Sequence, residues 1–150
     1  MQEYSDQLKS ELKRADHLFY VSLKYTRTVD VIRSVIERFM NALDVGIEAM
    51  LVKKKKKRKS LEIPKQPRKK AEVAREVFAD DQKLLKYIDF YISLRDIFQA
   101  KYDRREEYRR HVTMIAHLSP GNDIEVDIDL LGVYLADMLE FEEYILGKIE

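Results

Sequence analysis

The chain of 150 residues contains no cysteine and no tryptophan, only three prolines and four glycines, and no long apolar run. The missing cysteines exclude disulfides, thiol nucleophiles and thiolate-held metals. Four glycines cannot build a phosphate-cradling glycine-rich loop, and neither G-x-G-x-x-G nor G-x-x-x-x-G-K occurs. Sparse glycine and proline also argue against a turn-rich all-β fold. No segment approaches the roughly 18 apolar residues needed to cross a membrane, and the polar start, Met1–Ser10, is unlike a secretory leader. The expectation is a cytoplasmic protein without membrane contact. Abundant Lys, Arg and Glu with two Asn give a thermophile-like composition.

What is present is charge, and apolar residues at helical spacing. Charged residues make up 37% of the chain and hydrophobic ones 45%, enough to form a core. From Gln2 to Tyr25, the residues Leu8, Leu12, Ala15, Leu18, Phe19 and Ser22 recur three and four apart and form one helix face. Thr28 is placed to cap a second helix reaching about Lys57, with Ile32, Val35, Ile36, Phe39, Leu43, Ile47 and Met50 as its stripe. A third helix is expected from a cap at Asp80 or Asp81 to about His117, because no Gly or Pro interrupts that stretch. Ser119-Pro120-Gly121-Asn122 breaks the chain, and Ile124–Val126 reads as briefly extended. A last helix, capped by Asp127 or Asp129, carries Leu130, Leu131, Tyr134, Leu135, Met138, Leu139, Phe141, Tyr144, Ile145 and Ile149. The pattern predicts one all-α domain over residues 1–150. It has four long helices in an up-and-down bundle, with a basic linker or short helix between the second and third.

The net charge of +1 conceals strong polarity. Residues 53–70 hold eleven basic side chains against one acid, Glu62, and residues 121–150 hold nine acids against one lysine. Lys53, Lys54, Lys55, Lys56, Lys57, Arg58 and Lys59 read as a fraying helix end. Ser60–Arg68, with two prolines, reads as an exposed linker, and Lys70–Phe78 as a short helix. A basic run of this kind is ordinarily a solvated segment; its functional reading is a nucleic-acid patch.

With Cys and Gly-rich loops absent, Arg, His and the carboxylates are the main candidates for chemistry. They concentrate in Lys101–His117, which includes Arg104, Arg105, Arg109, Arg110, His111 and His117. On a helix, Arg104 and His111, seven residues apart, would share a face two turns apart beside an apolar strip. An imidazole can carry a proton near neutral pH, and guanidinium can hold a phosphate. The bland reading is that these arginines form surface ion pairs with Asp103, Glu106 and Glu107, and that the histidines sit at a helix end. No ligand set for a metal is evident, and no cofactor is expected.

An Arg-x(4–6)-His spacing late in a long helix of an all-helical chain resembles the HEPN superfamily. The resemblance covers helix order along the whole chain and specific residues only within Arg104–His117. It implies an up-and-down helical bundle, commonly a homodimer, that interacts with RNA, in many members as a metal-independent endoribonuclease. It also implies a nucleotidyltransferase-like protein as a partner. By that resemblance Arg104 or Arg105 would pair with His111 at a dimer cleft, with Arg109, Arg110, His117 and the Lys53–Lys59 run binding flanking phosphates. The alternative reading is a non-catalytic helical module for dimerisation or partner docking.

Overall fold

The computed structural model describes residues 1–150. Its elements, in order, are α1 (Gln2–His17), a π-helical turn (Leu18–Ser22), α2 (Leu23–Tyr25), α3 (Val29–Lys57), α4 (Pro67–Val77), α5 (Gln82–Gln99), β1 (Lys101–Arg105), β2 (Thr113–Ser119), β3 (Asn122–Val126) and α6 (Ile128–Ile149). The π-helical turn joins α1 and α2 into one rod, so the molecule is mostly helical, with five helices and a small sheet.

α3 is the central element, packing against α1, α4, α5, α6 and β2. Contacts fix the directions. Tyr4 reaches Glu48, and Glu11 reaches Arg38, so α1 runs antiparallel to α3. Tyr91 meets Asp44 and Phe98 meets Arg33, so α5 is antiparallel as well. Gly46 lies against Phe141 and Lys53 against Lys148, so α6 runs parallel to α3. The apolar stripes read from the sequence converge on one core of 35 buried residues. Gly46 allows the close approach of α3 and α6, because a Cβ there would collide with the Phe141 ring. That ring in turn meets Tyr87 edge-on at 5.1 Å.

Caps fall where the sequence places them. Thr28 accepts from the Val31 N–H, Asp81 from Leu84 and Asp127 from Leu130. α3 remains helical through Lys57. α4 starts at Pro67, inside the expected linker, with Gln66 accepting from the Lys69 N–H and proline at the first helical position. Lys70 on α4 is only 4% exposed and reaches Asp44 at 3.2 Å and Glu48 at 2.9 Å, fastening α4 to α3.

The expectation of a purely helical chain is corrected at Gln99. α5 stops there, and residues 101–126 form an antiparallel sheet of order β1-β2-β3. Side chains rather than a breaker residue end the helix. The Arg33 guanidinium donates to the Phe98 carbonyl at 3.0 Å, satisfying an open acceptor at the helix end. It also lies 4.2 Å from the Phe98 ring centre and 4.3 Å from that of Tyr102, so one cation spans the last helical turn and the first strand. Met114, Ala116 and Val126, on alternate positions of β2 and β3, bury the inner face of the sheet. The Ser119–Asn122 breaker forms the β2–β3 turn, with Gly121 at φ +75°.

Candidate nucleic-acid interface

The candidate residues are scattered by the sheet, and the helical face that would align Arg104 with His111 does not exist. Arg104 lies on β1 opposite Met114, whereas His111 lies in the β1–β2 loop. Arg104 donates to Asp30 at 2.8 Å and to Glu107 at 3.2 Å; the Asp30 carboxylate, foremost, holds its guanidinium pKa above the ordinary value. Arg105 pairs with Glu125 across the outer face. Neither arginine is free to meet a phosphate without giving up a carboxylate.

His117 is similarly occupied. Its Nδ1 lies 2.8 Å from Asp123 on β3, and its Nε2 lies 2.8 Å from Asp103 on β1. An imidazolium donating from both nitrogens satisfies both carboxylates and staples the three strands. Asp123 first, then Asp103, raises the His117 pKa above its usual range.

The Lys53–Lys59 run is at the opposite end of α3. Lys53 starts 24 residues after Val29, roughly 36 Å away at 1.5 Å per residue. α3 and α6 run parallel, so their C-termini share that end; the Lys53 ammonium donates to the Lys148 carbonyl of α6, and Lys54–Lys57 form the last turn of α3. Cations there complement two negative helix ends.

What remains together is Tyr108, Arg109, Arg110 and His111, all exposed on the loop between β1 and β2. The loop has an unusual backbone. Glu106 at φ 52° and Tyr108 at φ 69° both occupy the left-handed region without being glycine. Such residues cost about 1–3 kcal/mol each and persist only where the surroundings over-determine them. Here Glu107 accepts from the Val29 N–H at 2.9 Å, the Tyr108 N–H donates to the Arg27 carbonyl at 2.6 Å, and Val112 is fully buried. The Arg109 N–H donates to Glu106, and the Val112 N–H to Arg109, each at 3.1 Å.

This frame turns the Tyr108 ring outward, 77% exposed. Arg110, His111 and Arg27 line a cleft of about 190 Å³ with Asp127, Ile128 and Asp129. Asp127 is committed to capping α6, where it accepts from the Leu130 N–H at 2.8 Å. The ion pairs of this region use Arg104, Arg105 and His117 and leave Arg109 and Arg110 unpaired. Arg27 lines the cleft, and its Nε is buried with no hydrogen-bond partner.

Sequence reasoning missed Arg27 and Tyr108. Arg27 belongs to the break before Thr28, and Tyr108 is one of nine tyrosines; no local signal separates either from its neighbours. No group of three or more His, Asp or Glu side chains is gathered to hold a metal, and no helix is long and apolar enough to cross a membrane. Compared with protein-family models, curated proteins and solved structures, the chain matches none.

Proposed function

We propose that this protein interacts with RNA through the loop from Glu106 to Val112. The observation that carries the reading is that an exposed aromatic ring and two arginines without an ion pair project from a loop whose strained backbone is held to the helical body by two hydrogen bonds and the buried Val112. Exposed Tyr108 offers a face on which an unpaired base can stack, and Arg109, Arg110 and Arg27 offer charge to the backbone beside it. The catalytic form of the reading, a metal-independent endoribonuclease, gives proton transfer to His111 and the phosphate to Arg110 and Arg27. Arg104 and Arg105 then serve the frame.

The likeness to HEPN proteins enters through helix order. α1, α3, α5 and α6 run alternately down and up, which we read as a four-helix bundle. A homodimer and a nucleotidyltransferase-like partner belong to the same reading. The test is fluorescence anisotropy with labelled single-stranded and hairpin RNA at two salt concentrations. Salt-sensitive binding that is lost in Tyr108→Ala with Arg109→Glu and Arg110→Glu supports it. Unchanged binding in that variant overturns it.

One observation favours the alternative, a docking or dimerisation module. Tyr20 and Tyr25, at and just after the π-helical turn, are 59% and 79% exposed, with Val21 between them. Exposed aromatic residues on adjoining turns suit a protein partner. Light scattering on the wild type and on Tyr20→Ser with Tyr25→Ser decides it: a dimeric mass that falls to a monomer in the variant is its expected result.

A further inference from the structure

A second basic surface lies away from the loop, in the groove between α1 and α3. Ser10, Lys13, Arg14, His17 and Leu18 of the first rod and Arg38 of α3 line a cavity of about 470 Å³. Its lining is three permanent cations, an imidazole, a hydroxyl and one aliphatic side chain. No carboxylate lines it, but the Arg38 of its lining is engaged by Glu11 at 3.2 Å. Lys13 and Arg14 make no ion pair with any carboxylate, although Asp16 and Glu11 are near them in sequence. Lys13 and Arg14 therefore bring two unpaired cations to the groove, while the Arg38 charge is held by Glu11.

The π-helical turn begins at Leu18, at the edge of the groove, and its Leu18 and Phe19 are half-buried against the core.

We infer that this groove is a phosphate-binding subsite for the backbone of a nucleic acid. The Arg14 guanidinium, the Lys13 ammonium and the Ser10 hydroxyl suit the oxygens of a phosphodiester, Arg38 joins them only by giving up Glu11, and a single leucine offers little to an apolar ligand. The nucleic-acid identity of the ligand rests on the RNA reading of the loop; the phosphate site does not. Glu107 of the loop meets Val29, and Arg38 lies nine residues further along α3, a rise of roughly 14 Å along the helix axis.

The test uses the full chain and three probes: sodium pyrophosphate, a single-stranded RNA of about 12 nucleotides, and a polyglutamate peptide. Lys13 and Arg14 are exposed, so Lys13→Glu with Arg14→Glu leaves the core intact, which circular dichroism checks. In amide NMR spectra, pyrophosphate is expected to shift Lys13–Leu18 and Arg38. The shifts vanish in the groove variant and persist in the loop variant Arg109→Glu with Arg110→Glu. For RNA, losing two phosphate contacts lowers the slope of log affinity against log salt by about 1.4. Pyrophosphate shifts with no RNA binding by the wild type support the phosphate site and overturn the RNA reading. Absence of pyrophosphate shifts in the groove, an unchanged salt slope in the groove variant, or preferential binding of polyglutamate overturns the subsite.

Discussion

The Glu107 carboxylate accepts a hydrogen bond from the backbone N–H of Val29 at 2.9 Å, so a loop residue completes the N-terminus of the longest helix. Thr28 satisfies the Val31 N–H from three residues away, and Glu107 satisfies Val29 from 78 residues away. The same carboxylate receives Arg104 at 3.2 Å. The cap therefore fixes the β1–β2 loop to the helical body.

Removing that cap is expected to weaken both helix and loop. Glu107→Ala should lower unfolding stability by about 1 kcal/mol, the usual loss of a capping acceptor at a positive helix end. Urea denaturation measures it. Hydrogen exchange should speed up at Val29 and Tyr108 more than in the middle of α3, because those two N–H groups lose their partner or their frame.

Gly46 makes the opposite kind of prediction. Alanine ordinarily favours a helix interior over glycine by up to about 1 kcal/mol. At this position its Cβ would lie 2.7 Å from the Phe141 Cε2 and 3.1 Å from the Ile145 Cγ1, both in fully buried side chains. Phe141 cannot swing away without disturbing Tyr87. Gly46→Ala should therefore destabilise the protein by roughly 1–3 kcal/mol, as overpacked cores do. A thermal melt showing stabilisation would mean that α3 and α6 sit further apart.

The His117 staple gives the sheet a pH signature. Asp123 and Asp103 raise its pKa in the folded protein above the value of about 6.5 expected when unfolded. The folded state therefore binds the proton more tightly. The contribution is complete below about pH 6.5 and is lost as pH rises through the folded pKa. The melting midpoint of the wild type should fall, as pH rises from about 6.5 through the raised folded pKa, by more than that of His117→Gln, which cannot be protonated. Identical pH profiles would show that the imidazole does not hold the strands together.

Much of this organisation is legible in the sequence because it is local. The stripes Leu8–Leu12–Ala15 and Ile32–Val35–Ile36–Phe39 repeat at helical spacing and are buried as that spacing predicts. The caps Thr28, Asp81 and Asp127 are short polar residues ahead of apolar runs. The sheet is hidden for a physical reason. Its first connection uses Glu106 and Tyr108 where glycine is the usual signal, so nothing in Lys101–His117 announces a turn. One clue was available: Ile124–Val126, following Pro120-Gly121, reads as extended, and an extended segment after such a turn needs a partner before it. That partner is Thr113–Ser119, which pairs with it antiparallel. The candidate site changed with the sheet. Helical geometry favours Arg104 beside His111, whereas strand geometry hands Arg104 to Asp30 and Glu107 and turns Arg109 and Arg110 outward.

His111 decides whether RNA binding leads to cleavage. It sits in the cleft with Arg110 and Arg27, and its own carbonyl accepts from the Thr113 hydroxyl at 2.8 Å, which fixes the backbone from which the imidazole projects. A positioned proton carrier is worth about 10²–10⁴-fold in rate. The catalytic form therefore expects cleavage in EDTA that falls by that factor in His111→Ala, while RNA affinity changes by less than about 3-fold, since the charge comes chiefly from the arginines. Arg104→Lys should leave cleavage near the wild-type level, because Arg104 contacts carboxylates of the frame. Cleavage that survives His111→Ala removes the catalytic form. RNA that is bound in EDTA and stays intact with the wild type leaves a binding protein, with His111 one contact among several in the loop.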